Sequence, residues 1–188
     1  MWWALATIGL VCAVFAVPGV HQRVVWQQRM SNLRQISSST DSNATLASLF
    51  LIPAKVEAYR MQPIWHPGPA PTVGKVDGFN YSAKRTGLSN DFALRLGALV
   101  LAPNTYTGKA KACAFNPTVG FRVSHGLKWA NVVICLGCSQ LMVIEPQARM
   151  SSKGAVNARF KVAGEFDDHR AEFLALAREA FPSDITLK

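Results

Sequence analysis

Charge is scarce in this chain of 188 residues: Asp, Glu, Lys and Arg together supply 16% of it, and acidic residues number 11 against 20 basic ones. With 49% hydrophobic residues, so little charge excludes a disordered chain, and the composition fits neither collagen, nor a coiled coil, nor a many-span membrane protein. Missing too are the common catalytic signatures: there is no G-x-S-x-G, H-E-x-x-H, P-loop or dinucleotide-binding G-x-G-x-x-G. The four histidines lie far apart and no carboxylate pair stands out from surface charge, so no acid and base can be nominated. The basic surplus of +9 is scattered singly apart from Lys84-Arg85, without the interleaved aromatics of a stacking platform. A nucleic-acid partner is therefore not expected. The surplus is densest in residues 75–128, with eight basic and two acidic residues, against seven and six in 146–188.

What is present begins with residues 2–20, WWALATIGLVCAVFAVPGV, which carry no charge. As a helix they would reach about 28 Å, marginally enough for a ~30 Å hydrocarbon core. Residues 1–22 are read as a membrane anchor or a signal segment. Val14-Phe15-Ala16 suits a signal peptidase, but no basic residue precedes the apolar run. Arg23, Arg29 and Arg34 follow it, an order that by the positive-inside tendency favours a cytoplasmic downstream domain. Cys12 is read as a helix filler. Residues 23–45 are expected to hold a juxtamembrane amphipathic helix, about 21–36, and then the polar linker SSSTDSNAT. One domain, 46–188, remains.

Within it, moderate alternation predicts a strand over Lys55–Met61, followed by a loop, 62–71, whose four prolines forbid helix or sheet interior. Ser89 as N-cap, Asp91 in the first turn, and Phe92, Leu96, Leu99 and Val100 predict a helix ended by Pro103. A second helix is predicted from Asp168 to Ala180, where Asp167-Asp168-His169 is read as acidic capping of the helix start. Between them, strands are predicted at 118–124, 127–135, 140–145 and 155–162. The expected fold is α+β, an antiparallel meander sheet with two packed helices, preceded by the N-terminal apolar helix. Arg122 should point to the sheet face opposite Phe121 and Val123, paired there with a carboxylate or backbone carbonyls or else solvated.

Chemistry-bearing residues reduce to Cys113, Cys135 and Cys138, the last two in Cys135-Leu136-Gly137-Cys138. Ser139 occupies the place where a c-type haem site needs His, and a strand rather than a helix follows, unlike a thioredoxin-type pair. No second C-x-x-C exists, although His66 or His169 would complete a shell around zinc or copper with the three sulfurs. With His125-Gly126 as a two-residue hairpin loop, cross-strand partners sum to 251 and Cys113 falls opposite Cys138. A Cys113–Cys138 disulfide is thus expected first, Cys113–Cys135 second and Cys135–Cys138 third, with the remaining cysteine buried.

The stretch from Lys111 through Cys113, Phe115, Pro117 and Gly120 to Arg122, followed by Val132-Val133-Ile134-Cys135 and Cys138, resembles a family of uncharacterised bacterial proteins with signal or lipoprotein-like leaders. Its pattern is C-x-F-x-P-x-x-G-x-R and then C-x-x-C after a hydrophobic strand. The resemblance extends from Val56 to Phe181-Pro182 and implies a shared domain and a bacterial cell-envelope location, membrane-anchored or periplasmic or extracellular; it carries over no catalytic residue. The resulting expectation is a binding or structural domain stapled by its cysteines, with the membrane and an unidentified envelope component as partners. The rival reading is a thiol-disulfide or metal-handling protein.

Overall fold

The computed structural model describes residues 27–28, 31–32, 44–64, 71–106, 112–150 and 156–187. The apolar segment 2–20 and His66 lie outside them. Of the predicted juxtamembrane helix, Gln27, Gln28, Ser31 and Asn32 are described and helical, Gln28 Nε2 donating to Asn32 Oδ1 at 3.2 Å. Among the described residues no helix is long and apolar enough to cross a membrane.

In chain order the elements are α1 (Ala44–Leu51), β1 (Lys55–Met61), β2 (Gly74–Val76), β3 (Phe79–Thr86), α2 (Asn90–Val100), β4 (Val119–His125), β5 (Lys128–Cys135), β6 (Gln140–Met150), β7 (Val156–Glu165) and α3 (Arg170–Ala180), with short 3₁₀ turns at Pro103–Thr105, Asp167–His169 and Ile185–Leu187. The seven strands form one antiparallel sheet in the order β2-β3-β1-β4-β5-β6-β7. The class is α+β, as expected, but the meander holds only for β4 to β7. β1 is antiparallel to both β3 and β4, so those two run parallel to each other. Parallel strands need a long crossover, which α2 supplies, and β1 occupies the slot left between them.

There are three helices packed on the sheet among the described residues rather than the two expected. The additional one, α1, starts at Ala44, so the last two residues assigned to the linker are helical. It buries Leu46, Ala47, Leu49 and Phe50, and it crosses α2 so closely that a Cβ on Gly97 would collide with the Phe50 side chain. At the start of α2, Ser89 is the cap, its Oγ accepting the Phe92 N–H at 3.1 Å. α3 begins at Arg170, because Asp167–His169 form a separate 3₁₀ turn leading into it.

The β4–β5 register corrects the hairpin arithmetic. His125 pairs with Lys128 and Val119 with Ile134, so partners sum to 253 and the loop is Gly126-Leu127. Gly126 takes φ +59 at the first central position, where a type II′ turn demands a positive φ. A sum displaced by two keeps every side chain on its face, so Arg122 stays opposite Phe121 and Val123. On one face Val56, Ala58, Val119, Phe121, Val123, Ala130, Val132, Ile134, Leu141 and Val143 meet the three helices in the main core. On the other, Tyr59, Met61, Val76, Val133 and Ile144 form a smaller cluster with half-buried Phe79, Tyr81, Phe115, Trp129 and Met142. Val76 of edge strand β2 reaches that cluster because the sheet curls, which makes this its inner face. Gly120 supports the packing: Met61 lies over it, and a Cβ there would collide with the Met61 methyl group.

Candidate functional site

Two groups of chemistry-bearing side chains lie on or beside the inner face. The first is the cysteine cluster. Cys135 is the last residue of β5, paired with Gln140 of β6, and residues 136–139 turn between the strands. Ser139 closes that turn at φ +53, a left-handed conformation uncommon outside glycine. The turn carries Cys138 back toward the extended segment 112–118 that leads into β4. Thr118 fixes that segment: its N–H donates to Ile134 O at 2.7 Å, and its hydroxyl accepts the Leu136 N–H at 3.2 Å. Cys113 and Cys138 are joined in a disulfide, their Cα atoms 6.0 Å apart across 25 residues. The pair is the one expected first, reached through the β5–β6 turn and the lead-in segment instead of through the assumed register. Among the described residues Cys135 is the free cysteine; it is buried, 2% exposed, as expected for the odd thiol. Cys138 is 6% exposed, whereas Cys113 stands at the surface. The Cys138 N–H donates to Cys135 Sγ at 3.4 Å.

With two sulfurs bridged, a three-sulfur zinc or copper shell would require the reduced chain. Among the described residues no group of three His, Cys, Asp or Glu is placed to hold a metal. His169 Nδ1 lies 2.9 Å from Glu172 Oε1, an i,i+3 contact across the start of α3.

The second group was not legible in the sequence beforehand. Glu57 on β1 is 3% exposed, yet charged partners surround it: Lys84 Nζ at 2.7 Å and Lys55 Nζ at 2.9 Å from Oε1, and the Tyr59 hydroxyl donating to Oε2 at 3.1 Å. Burial alone would push the Glu57 carboxyl up; Lys84, Lys55 and Tyr59 outweigh it and hold the group below the usual glutamate range. The hydrogen bond to Glu57 raises Lys84 in turn, and burial pushes the Tyr59 phenol up.

Arg122 lies directly across the ladder from Glu57 on the same face. Its Nε donates to Asn131 Oδ1 at 2.8 Å, and its guanidinium sits 4.9 Å from the Trp129 ring centroid. Asn131 donates in turn to Asp77 in the β2–β3 turn. Arg122 is therefore on the expected, partly covered face, but its direct partner is a side-chain amide, with the carboxylate one step further. Burial raises the Asp77 carboxyl against the opposing pull of Asn131 and Arg122. Asp77-Gly78 have φ +50 and +86, the double positive φ of a type I′ hairpin, and this dipeptide was the signal that could have located both the hairpin and the group. Since β2 is first in the sheet and β5 fifth, Asp77–Asn131 ties the curl shut.

Much of the basic surplus has structural partners. Arg60 pairs with Asp184 and donates to Thr186 Oγ1 at 2.7 Å and Thr118 O at 2.6 Å, clasping the C-terminal 3₁₀ turn to the sheet. Arg85 caps α3 through Glu179 O and Ala180 O at 2.8 and 3.0 Å. Arg95 pairs with Asp91 and Glu179, both at 2.8 Å, and Arg170 donates to Leu136 O at 2.9 Å, tying α3 to the cysteine turn.

No family model, curated protein or solved structure matches the chain.

Proposed function

We propose that this chain is an exported or membrane-tethered domain of the bacterial cell envelope, with a binding or structural role toward another envelope component and the Cys113–Cys138 disulfide as its staple. The observation that carries the reading is that bridge, made with a surface sulfur: such disulfides persist in oxidising compartments and are rare where glutathione and thioredoxin keep thiols reduced. The uncharged segment 2–20 and the resemblance of the cysteine block to exported bacterial proteins support it independently. Under this reading the apolar segment inserts in the membrane, and the sheet presents its inner face, with Trp129, Arg122 and Lys84, as the chemically mixed surface for a partner.

The test is fractionation with peptide mapping. The full-length chain should sediment with membranes, or be found outside the cytoplasm if the leader is cleaved, and non-reducing digestion should yield a Cys113–Cys138 cross-linked peptide. An intact, uncleaved chain in the cytoplasmic soluble fraction with its thiols free would overturn the proposal. The second reading, thiol-disulfide handling, is favoured by one observation, the buried third sulfur of Cys135 beside the bridge.

A further inference from the structure

Cys138 is within reach of two partners. Its bridge to Cys113 spans 6.0 Å between Cα atoms, while Cys135 stands three residues before it in a turn. Turn geometry holds residues i and i+3 under about 7 Å, and disulfides take Cα separations of about 4.4–6.8 Å. The Cys138 N–H contact at 3.4 Å already places Cys135 Sγ against Cys138. Gly137, between them, is exposed, and beyond its own chain neighbours no heavy atom lies within 4 Å of where its Cβ would be, so the tip of the turn has room to adjust. The two bridges differ in what they leave free: Cys113–Cys138 leaves a buried thiol, and Cys135–Cys138 would leave a surface one.

We infer that Cys138 is a shared sulfur, and that the domain exchanges its Cys113–Cys138 disulfide for a Cys135–Cys138 disulfide, releasing Cys113 as a surface thiol that captures a disulfide-bearing peptide or small molecule. The inference rests on the proposed oxidising location. In the exchange, Cys135 loses its proton to water and its thiolate attacks Cys138 Sγ; the new sulfur–sulfur bond forms as the old one breaks, and the electron pair and a proton end on Cys113 Sγ. No electrons enter or leave the chain. In the capture step the Cys113 thiolate attacks one sulfur of the incoming disulfide, forms a mixed disulfide and expels the other half as a thiolate. The incoming disulfide is thus its own oxidant. Uncatalysed rearrangements of this kind take minutes to hours.

The experiment uses the full-length chain carrying Cys12→Ala, in mild detergent, so that the leader sulfur does not report. Acid-quenched mapping of the untreated protein should first give the Cys113–Cys138 peptide; three free thiols at this stage would overturn the proposed location and the inference together. The native protein is then held for hours at neutral pH with N-ethylmaleimide, or with oxidised glutathione. Label or glutathione should appear on Cys113 while a Cys135–Cys138 peptide replaces the original bridge, at a rate that stops rising with reagent concentration. Adduct on Cys135 with the original bridge intact, or no adduct at all, would overturn the inference while leaving the location standing. Cys135→Ala and, as a second variant, Cys135→Ser should both lose the Cys113 adduct; an adduct that persists in either would show that Cys135 is not the attacking thiol.

Discussion

The two faces of the sheet are held by different physics. On the helix-covered face the largest fully buried side chains, Phe50, Phe92, Phe121, Phe166 and Phe173, fill the space between β4 and β5 and the helices, with Phe92 and Phe121 edge to face at 5.1 Å. Burial there is apolar and non-directional. The inner face has a smaller apolar cluster, and its curl is fixed by directional contacts, Arg122 to Asn131 to Asp77 and Glu57 among Lys55, Lys84 and Tyr59. The first face makes the domain stable; the second determines its shape.

If that division is right, the largest loss should come from the helix-covered face. Phe121→Ala is expected to cost about 3–5 kcal/mol in denaturant unfolding, since the lost ring leaves a cavity between α2 and the sheet; a cost under about 1 kcal/mol would break the comparison. The disulfide belongs to neither face, and its contribution should lie in the unfolded chain: Cys113→Ala is expected to cost about 3.5 kcal/mol for a loop of this length, a loss that reduction of the wild type should match. On the inner face, Asn131→Ala leaves Arg122 and Asp77 without their shared partner and should cost about 1–3 kcal/mol. Its distinguishing sign is earlier amide exchange in β2 and β3 than in β5.

The smallest expected effect is in pH dependence. The lowered carboxyl of Glu57 contributes stability that is present above the ordinary glutamate range and lost as pH falls through its folded value. Asp77 is raised, so its contribution runs the other way: present below the ordinary aspartate range and lost as pH rises through the folded value. Glu57→Gln should therefore flatten the acid fall of Tm, and Asp77→Asn should steepen it by removing the opposing slope. Equal pH profiles for wild type and both variants would show that neither carboxyl is linked to folding.

Much of the helix-covered face was legible in the sequence. β1 occupies Lys55–Met61 as its alternation indicates, Ser89 caps α2, and the parity of Phe121 and Val123 against Arg122 assigns the faces of β4 despite the displaced register. The inner face was harder because its order is tertiary. β3 reads FNYSAKRT, and its residues are half-buried or exposed, so no clean period of two marks it. Glu57 looks like a surface charge until β3 brings Lys84 beside it, and Asn131 carries no local signal of a partner 54 residues earlier. α1 escaped because ATLASLFL is nearly all apolar over two turns, which blurs helical spacing. The bridge was expected from a register that the ladder does not adopt; the same two sulfurs meet because the turn through Gly137 and Ser139 returns Cys138 toward the lead-in segment that carries Cys113.

The central place of β1 also governs the order of assembly. Lys55 is paired with Ser124, almost seventy residues later, so the first strand emerging from a ribosome or a translocation channel has no second neighbour until β4 follows. At about 5–20 residues per second that wait is roughly 3–14 s. Once β3 has followed, β1 and the β2–β3 hairpin can pair with each other while the other edge of β1 stays open, a time when a holdase would have its best purchase. The slot closes when β4 arrives, and Cys113 enters just ahead of that strand, before its sulfur partner in the β5–β6 turn exists.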